Sequence, residues 1–239
     1  MRPHDAFPLS RVVAAWSVHA LTASTAVFGF LAILELMARQ WQTAVIWMGL
    51  AIIVDSVDGA LSRRVGVSRV LPGFDGALLD NIVDYQTYVL VPAIFVYQAE
   101  LAPAGWLLFT PAFMLMTSGY QFAQAHAKTS DHYFLGFPSY WNVVVVYLLL
   151  LGLPPVVNLL ILLTCGILVF VPIKYLYPSR MRRYRRLTLL LTTLWFLLMA
   201  AALSRYPLGH IWLTRASLLY LVYYVGLSLY LTRRTATKG

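Results

Sequence analysis

The sequence predicts an all-α integral membrane protein, a bundle of about eight transmembrane helices with its N- and C-termini in the cytoplasm. Hydrophobic residues make up 60% of the 239 residues, charged residues make up 11%, and the mean hydropathy is +0.73. This composition is too apolar for a soluble domain of this size and is typical of multi-pass membrane proteins. No linker-like or low-complexity stretch divides the chain, so we expect a single transmembrane domain over residues 1–239.

Eight apolar runs have lengths close to the roughly 20 residues that a transmembrane helix needs. The first follows Arg11 and is too long for the apolar part of a signal peptide, so we expect it to remain as an uncleaved span. The second ends before the basic pair Arg63 and Arg64, and the third opens at Gly76. The fifth is short and ends at the Gly-Leu-Pro-Pro break of residues 152–155. The predicted spans are residues 12–37, 43–62, 76–99, 106–127, 138–152, 154–176, 187–203 and 211–231.

The basic residues favour eight spans over the seven that would result from merging the fifth and sixth runs. With eight spans and a cytoplasmic N-terminus, fifteen Lys and Arg residues lie on the cytoplasmic side and three lie outside, as the positive-inside rule requires. Seven spans would place the Arg180–Arg186 cluster outside. Because the basic residues sit at helix ends, where they face lipid headgroups, the net charge of +9 does not indicate a nucleic-acid partner. The single cysteine, Cys165, excludes an intrachain disulfide and a CxxC metal site.

Four aspartates lie at the cytoplasmic ends of the second and third predicted spans. The chain has only nine acidic residues, and Asp55, Asp58, Asp80 and Asp84 fall within about thirty positions. The spacings i, i+3 and i, i+4 place each pair on one face of its helix. Asp55 and Asp84 each lie roughly 12 Å from the inner interface, at 1.5 Å per residue. We therefore expect the two pairs to meet at matched depth in a helical hairpin.

Carboxylates at this depth need positive charge beside them. Four of them in a low-dielectric pocket repel one another, and each costs several kcal/mol unless it is paired or bound to a cation. One or two Mg²⁺ or Mn²⁺ ions with oxygen ligands would resolve this and would also bind phosphates. Gly59 and Gly76 would let a phosphate approach the backbone, and Arg63 adds a phosphate-facing cation. Asp75, directly before Gly76, is expected to be a helix N-cap.

The aspartates belong to a longer pattern that resembles the signature of the CDP-alcohol phosphotransferases, integral-membrane enzymes that make phospholipids. The pattern is Asp55-Ser-Val-Asp58-Gly59-Ala-Leu-Ser62-Arg63, then Gly76-Ala-Leu-Leu-Asp80-Asn-Ile-Val-Asp84, and seven of eight fixed positions are present. Ser62 stands where the family has Ala, and twelve residues instead of eight separate Arg63 from Gly76. Both departures, with the stretches at 72–85, 136–142 and 170–174, resemble the phosphatidylcholine synthase branch, so the likeness extends over most of the chain.

The resemblance implies the reaction and a role for each signature residue. The phosphatidyl group of CDP-diacylglycerol would pass to choline, giving phosphatidylcholine and CMP. Asp84 would be the general base that takes the proton of the attacking hydroxyl. It would also share two metal ions, Mn²⁺ or Mg²⁺, with Asp55, Asp58 and Asp80. The residues implied to seat the CMP and phosphates are Gly59, Ser62, Arg63 and Gly76.

Choline is a quaternary ammonium without N–H donors, so its recognition should depend on aromatic faces. The residues predicted to bind choline are Tyr85, Tyr88, Trp141 and Asn142. Further aromatic residues crowd the loop before the fifth span, namely Tyr133, Phe134, Phe137 and Tyr140. Aromatic residues also gather at membrane interfaces for reasons unrelated to a ligand, so both interpretations stay open.

Two other functions compete with this one. The acceptor could be serine, inositol or glycerol phosphate, although the aromatic loop favours choline. The aspartates could instead line the pathway of an ion or metabolite transporter, but they cluster near one membrane face and no inverted repeat is evident. The resemblance further implies a multi-pass protein of the bacterial inner (cytoplasmic) membrane, a cytoplasm-facing active site, contact with membrane lipids, and a homodimer.

Overall fold

The computed structural model describes residues 7–125, 127, 129, 131, 133–178, 181 and 184–236. Arg180, Arg182 and Arg183 of the predicted cytoplasmic cluster lie outside the described residues. The described chain is mainly helical. Its helices are α1 (Leu9–Met37), α2 (Trp41–Val65), α3 (Val67–Val70), α4 (Gly76–Tyr85), α5 (Val91–Gln98), α6 (Phe109–Ala123), α7 (Trp141–Leu151), α8 (Pro155–Leu168), α9 (Arg185–Ser204) and α10 (Ile211–Ala236).

Four helices are long and apolar enough to cross a membrane: α1, α2, α9 and the Ile211–Arg234 part of α10. The helices α7 and α8 are apolar but shorter. A π-helical turn, Gln86–Leu90, joins α4 to α5, so the helical chain continues without a break from Gly76 to Gln98. Each of the eight predicted segments thus contains a helix, while the eight-span count and the side of the termini stay predictions.

The chain divides into two compact units, residues up to Thr87 and residues from Tyr88 onward. In the first unit, α1 packs along α2, and α3 and α4 pack against α1. Gly66 ends α2 in the left-handed conformation (φ 74°), where the absence of a Cβ avoids a steric cost, and its N–H donates to the Ser62 carbonyl. Asp75 begins α4 by accepting a hydrogen bond from the Leu78 N–H at 2.9 Å, which confirms the predicted N-cap.

The second unit contains a small sheet that the all-α prediction lacked. The strands β1 (Tyr133–Leu135) and β2 (Lys174–Leu176) pair antiparallel, with Phe134 opposite Tyr175. The predicted span 154–176 was therefore too long, because α8 ends at Leu168 and the segment then leads through Pro172, which cannot donate to a helical ladder, into β2. The segment predicted from residue 138 likewise becomes helical only at Trp141.

Candidate active site

Three of the four signature aspartates converge in the first unit. Asp55 lies on α2 and Asp80 and Asp84 lie one turn apart on α4. Each offers a carboxylate oxygen, and these three oxygens lie within 4.8 Å of one another. All three side chains are half-buried, so water and a ligand can still reach the group. Oxygen donors at this spacing and partial burial suit a hard divalent cation such as Mg²⁺ or Mn²⁺.

Asp58 lies outside this group of three. It is on α2, one turn after Asp55, and only 4% of it is exposed. Its Oδ2 accepts a hydrogen bond of 2.6 Å from the Thr22 hydroxyl on α1. A buried carboxylate needs such a donor, because burial without hydrogen bonds costs several kcal/mol. The structure thus shows Asp58 held by α1, and its role as a metal ligand stays a prediction.

The two glycines of the signature have different surroundings. A Cβ on Gly59 would meet the Arg63 guanidinium at 3.4 Å, which is ordinary contact. A Cβ on Gly76 would come within 2.5 Å of the His19 ring, so a larger residue where α4 begins would have to displace that buried ring. Ser62 is half-buried and Arg63 is exposed. The predicted seat for phosphates therefore has, at Gly76, a packing requirement that sequence reasoning missed.

His19, like Thr22, is a residue of α1 that the sequence did not predict to be part of the site. It is 6% exposed, its ring packs on Phe74 at 4.4 Å between centroids, and Trp16 lies at 5.9 Å. Its Nε2 has no hydrogen-bond partner among the described residues. The available signal was a set of polar residues spaced three apart in a largely apolar predicted span, namely His19, Thr22 and Thr25.

Comparison with known proteins places the chain among enzymes of one kind. No family model matches it. It is 37% identical over 225 residues to a phosphatidylcholine synthase of Pseudomonas aeruginosa, which covers 92% of both proteins. The chain belongs to the phosphatidylcholine synthase family. Enzymes of the same name from Legionella pneumophila (43% identical, 73% of this chain and 69% of the relative) and Borreliella burgdorferi (32%, 95% and 98%) are also similar. The resemblance drawn from the signature is thereby confirmed.

The residues predicted to bind choline differ in their access to a ligand. Tyr85, beside Asp84 in the first unit, and Tyr88, in the second, are half-buried. Trp141 is fully buried, and its indole N–H donates to the Ser118 hydroxyl at 2.6 Å. Asn142 is also buried, and its amide oxygen accepts from the Val143 N–H. In a phosphatidylcholine synthase, the two tyrosines are thus more accessible to choline than Trp141 and Asn142 are.

Proposed function

We propose that this chain is a phosphatidylcholine synthase that transfers the phosphatidyl group of CDP-diacylglycerol to choline and releases CMP. The observation that carries the proposal is the convergence of the Asp55, Asp80 and Asp84 carboxylate oxygens within 4.8 Å. The chain that contains them is similar over most of its length to proteins named phosphatidylcholine synthase. No observation specifically favours serine, inositol or glycerol phosphate as the acceptor, or a transport function.

The aspartate group fits a divalent cation by donor type and spacing. Asp55, Asp80 and Asp84 would hold it, and Asp58 would contribute as a fourth carboxylate, held in orientation by Thr22. Mn²⁺ or Mg²⁺, as one or two ions, would bind the pyrophosphate oxygens and offset the charge that develops on departing CMP. Gly59, Ser62, Arg63 and Gly76 would seat the CMP and phosphates, with the exposed Arg63 guanidinium available to a phosphate.

Asp84 has the position of a general base. Its half-buried carboxylate would take the proton of the choline hydroxyl as that oxygen bonds to the lipid-bearing phosphorus. The bond from this phosphorus to the bridging oxygen breaks in the same displacement, and CMP leaves with that oxygen. One proton is transferred to Asp84 and one phosphodiester replaces the pyrophosphate linkage, so atoms and charge balance.

We further propose that the protein crosses the bacterial inner membrane eight times, with both termini and the aspartate group on the cytoplasmic side. Four helices already meet the length and hydropathy of a span, and the unbroken helix from Gly76 to Gln98 is long enough for another. The excess of basic residues in the segments assigned to the cytoplasm supports this orientation. A homodimer in contact with membrane lipids is proposed by analogy with the wider family.

An assay of the purified full-length protein tests the proposal. With CDP-diacylglycerol, choline and Mn²⁺, we expect equimolar CMP and phosphatidylcholine, and no product after chelation of the metal. The same mixture with serine, inositol or glycerol phosphate in place of choline tests the acceptor. Product with one of those alcohols but not with choline would refute the choline assignment. No CMP with any alcohol would refute the transferase assignment and revive the transporter alternative.

A further inference from the structure

Two exposed arginines lie at one end of the α9–α10 hairpin. Arg205 directly follows α9, and Arg215 lies one turn into α10. Since α9 packs against α10 and only residues 205–210 connect them, both side chains belong to the same end of the hairpin. Neither arginine forms an ion pair with a residue that the structure describes. The two positive charges are thus open to an anion from outside the chain.

Arg215 stands in an exposed stripe of α10 that is otherwise apolar. Trp212, Leu219 and Val222 share its helix face at spacings of three, four and seven residues, and they are 74%, 73% and 70% exposed. The Ile211–Arg234 part of α10 is long and apolar enough to cross a membrane, so this stripe would contact lipid. An arginine on such a face extends its charged end to the headgroup layer, and Arg215, about 6 Å along the helix from Ile211, is close enough to reach it.

The indole of Trp212 fixes the direction of the Arg215 side chain. The guanidinium carbon lies over the Trp212 ring, 5.5 Å from its centroid. This cation–π contact does not use the N–H donors of Arg215, which form no hydrogen bond to a described residue. The helix dipole does not explain a cation near the start of α10, because it favours positive charge at the other end of a helix. Arg215 thus presents a fork of donors in a fixed direction, available to an external anion.

The turn beside these residues is fixed against α7. The His210 Nε2 lies 2.9 Å from the Leu150 carbonyl oxygen, which can only accept, so Nε2 is a protonated nitrogen that donates. The Tyr206 ring packs edge-on against that of His210, at 5.2 Å between centroids, and the Thr214 hydroxyl donates to the His210 carbonyl. A ligand at this turn would therefore bind to an ordered backbone, which lowers the entropic cost of binding.

We propose that Arg205, Trp212 and Arg215 form a binding site for the headgroup of an anionic phospholipid. Both guanidinium groups would donate to its phosphate oxygens, the indole would lie at the level of the headgroups, and Leu219 would contact an acyl chain. Two unpaired positive charges favour a headgroup of net negative charge over a zwitterionic one, whose own cation they would repel. The site contains no residue of the aspartate signature, so the proposal goes beyond the transferase reaction and does not depend on it.

Lipid titration of the purified full-length protein, followed by native mass spectrometry, tests the site. Because other basic segments also contact lipids, the decisive quantity is the affinity lost in Arg215→Gln. For phosphatidylglycerol we expect a loss of about 3- to 10-fold, and for phosphatidylcholine with the same acyl chains a loss under about twofold. Equal losses for the two lipids would overturn the anionic-headgroup assignment. Displacement of phosphatidylglycerol from the wild-type protein by equimolar inorganic phosphate would assign the site to free phosphate and overturn the assignment to a lipid.

Matched variants separate the site from an effect of net charge. Arg186→Gln removes the same charge at the opposite end of α9, where Arg186 is exposed and has no ring contact with a described residue. It should leave the phosphatidylglycerol affinity within about twofold, whereas Arg205→Gln should lower it about 3- to 10-fold. Arg215→Lys keeps the charge but not the fork and should show an intermediate loss. Equal losses in Arg186→Gln and Arg215→Gln would attribute binding to net charge and overturn the proposal. Since a ligand stabilises the state that it binds, phosphatidylglycerol should also raise the Tm of the wild type more than that of Arg215→Gln, and equal increases would contradict the site.

Discussion

Replacing Thr22 by Val tests whether Asp58 takes part in metal binding. Valine has the shape of threonine but no hydroxyl, so the 2.6 Å hydrogen bond to the buried Asp58 carboxylate is lost without a cavity. A hydrogen bond to a charged group contributes about 1.5–3 kcal/mol, and 1.4 kcal/mol corresponds to a factor of ten in an equilibrium constant. If Asp58 must be oriented to hold the ion, half-saturating Mn²⁺ for CMP release should rise about 10- to 100-fold, the usual effect of removing a group that orients a ligand.

Two further variants make this measurement decisive. Thr22→Ser keeps a hydroxyl at the same position and should retain most of the Mn²⁺ affinity. Thr25→Val removes a buried hydroxyl one turn along α1 that donates only within that helix, to the Thr22 carbonyl at 2.6 Å. It should therefore leave the Mn²⁺ dependence unchanged. Wild-type Mn²⁺ dependence in Thr22→Val would refute the link between Asp58 orientation and the metal, and equal shifts in Thr22→Val and Thr25→Val would attribute the effect to α1 packing.

Three more substitutions have defined outcomes. Gly76→Ala places a methyl group against the His19 ring and should destabilise the protein by about 1–3 kcal/mol, measured as a lower Tm in detergent. Adding His19→Ala should remove that destabilisation. No change in Tm for Gly76→Ala would contradict the predicted clash. Asp84→Asn should lower kcat about 100-fold or more with Mn²⁺ saturating, and an enzyme of full activity would disprove the general-base role. At Asp131, burial alone would raise the pKa, but the hydrogen bond and charge of Lys174 hold this pKa below its usual value. The ionised Asp131 carboxylate therefore stabilises the fold above its unfolded pKa, and this stabilisation is lost as the pH falls through the lower folded pKa. Asp131→Asn should flatten the Tm–pH profile below about pH 4. An unaltered profile would show that the Asp131–Lys174 pair contributes nothing to stability.

The helices were predictable because their signals are local. Apolar runs bounded by charged residues, glycine or proline define where helices can form, and every predicted span contains one. The sheet was not predictable in the same way, since β1 and β2 each have three residues and lie about forty positions apart. The N–H groups of Lys174 and Leu176 in β2 also donate to Thr232 and Ser228 of α10, which are contacts between distant residues that no local pattern indicates. The apolar character of residues 169–176 indicated burial, and burial was interpreted as helix.

The candidate site was predictable only in part, for a similar reason. The spacings within α2 and α4 place the aspartates on shared helix faces, and Asp55, Asp80 and Asp84 do converge. Helix periodicity does not report what a neighbouring helix contributes, so Thr22 was missed as the partner of Asp58. Residue type alone also cannot separate an accessible ring from a core ring. Trp141 matched the chemistry expected for choline and is fully buried, whereas Tyr88, predicted on the same ground, is half-buried.

The helix α1 connects the two halves of the signature without containing any residue of it. Thr22 donates to Asp58 in the α2 half, and His19, three positions earlier and so on the same face, fills the space that Gly76 leaves at the start of the α4 half. A carboxylate group built from two helices must keep their separation fixed to within fractions of an ångström if it is to hold one ion. The connection between α2 and α4 is longer than in the usual signature, and the short helix α3 within it packs against α1. The contacts of Thr22 and His19 tie α1 to both halves of the signature and so add a constraint on that separation.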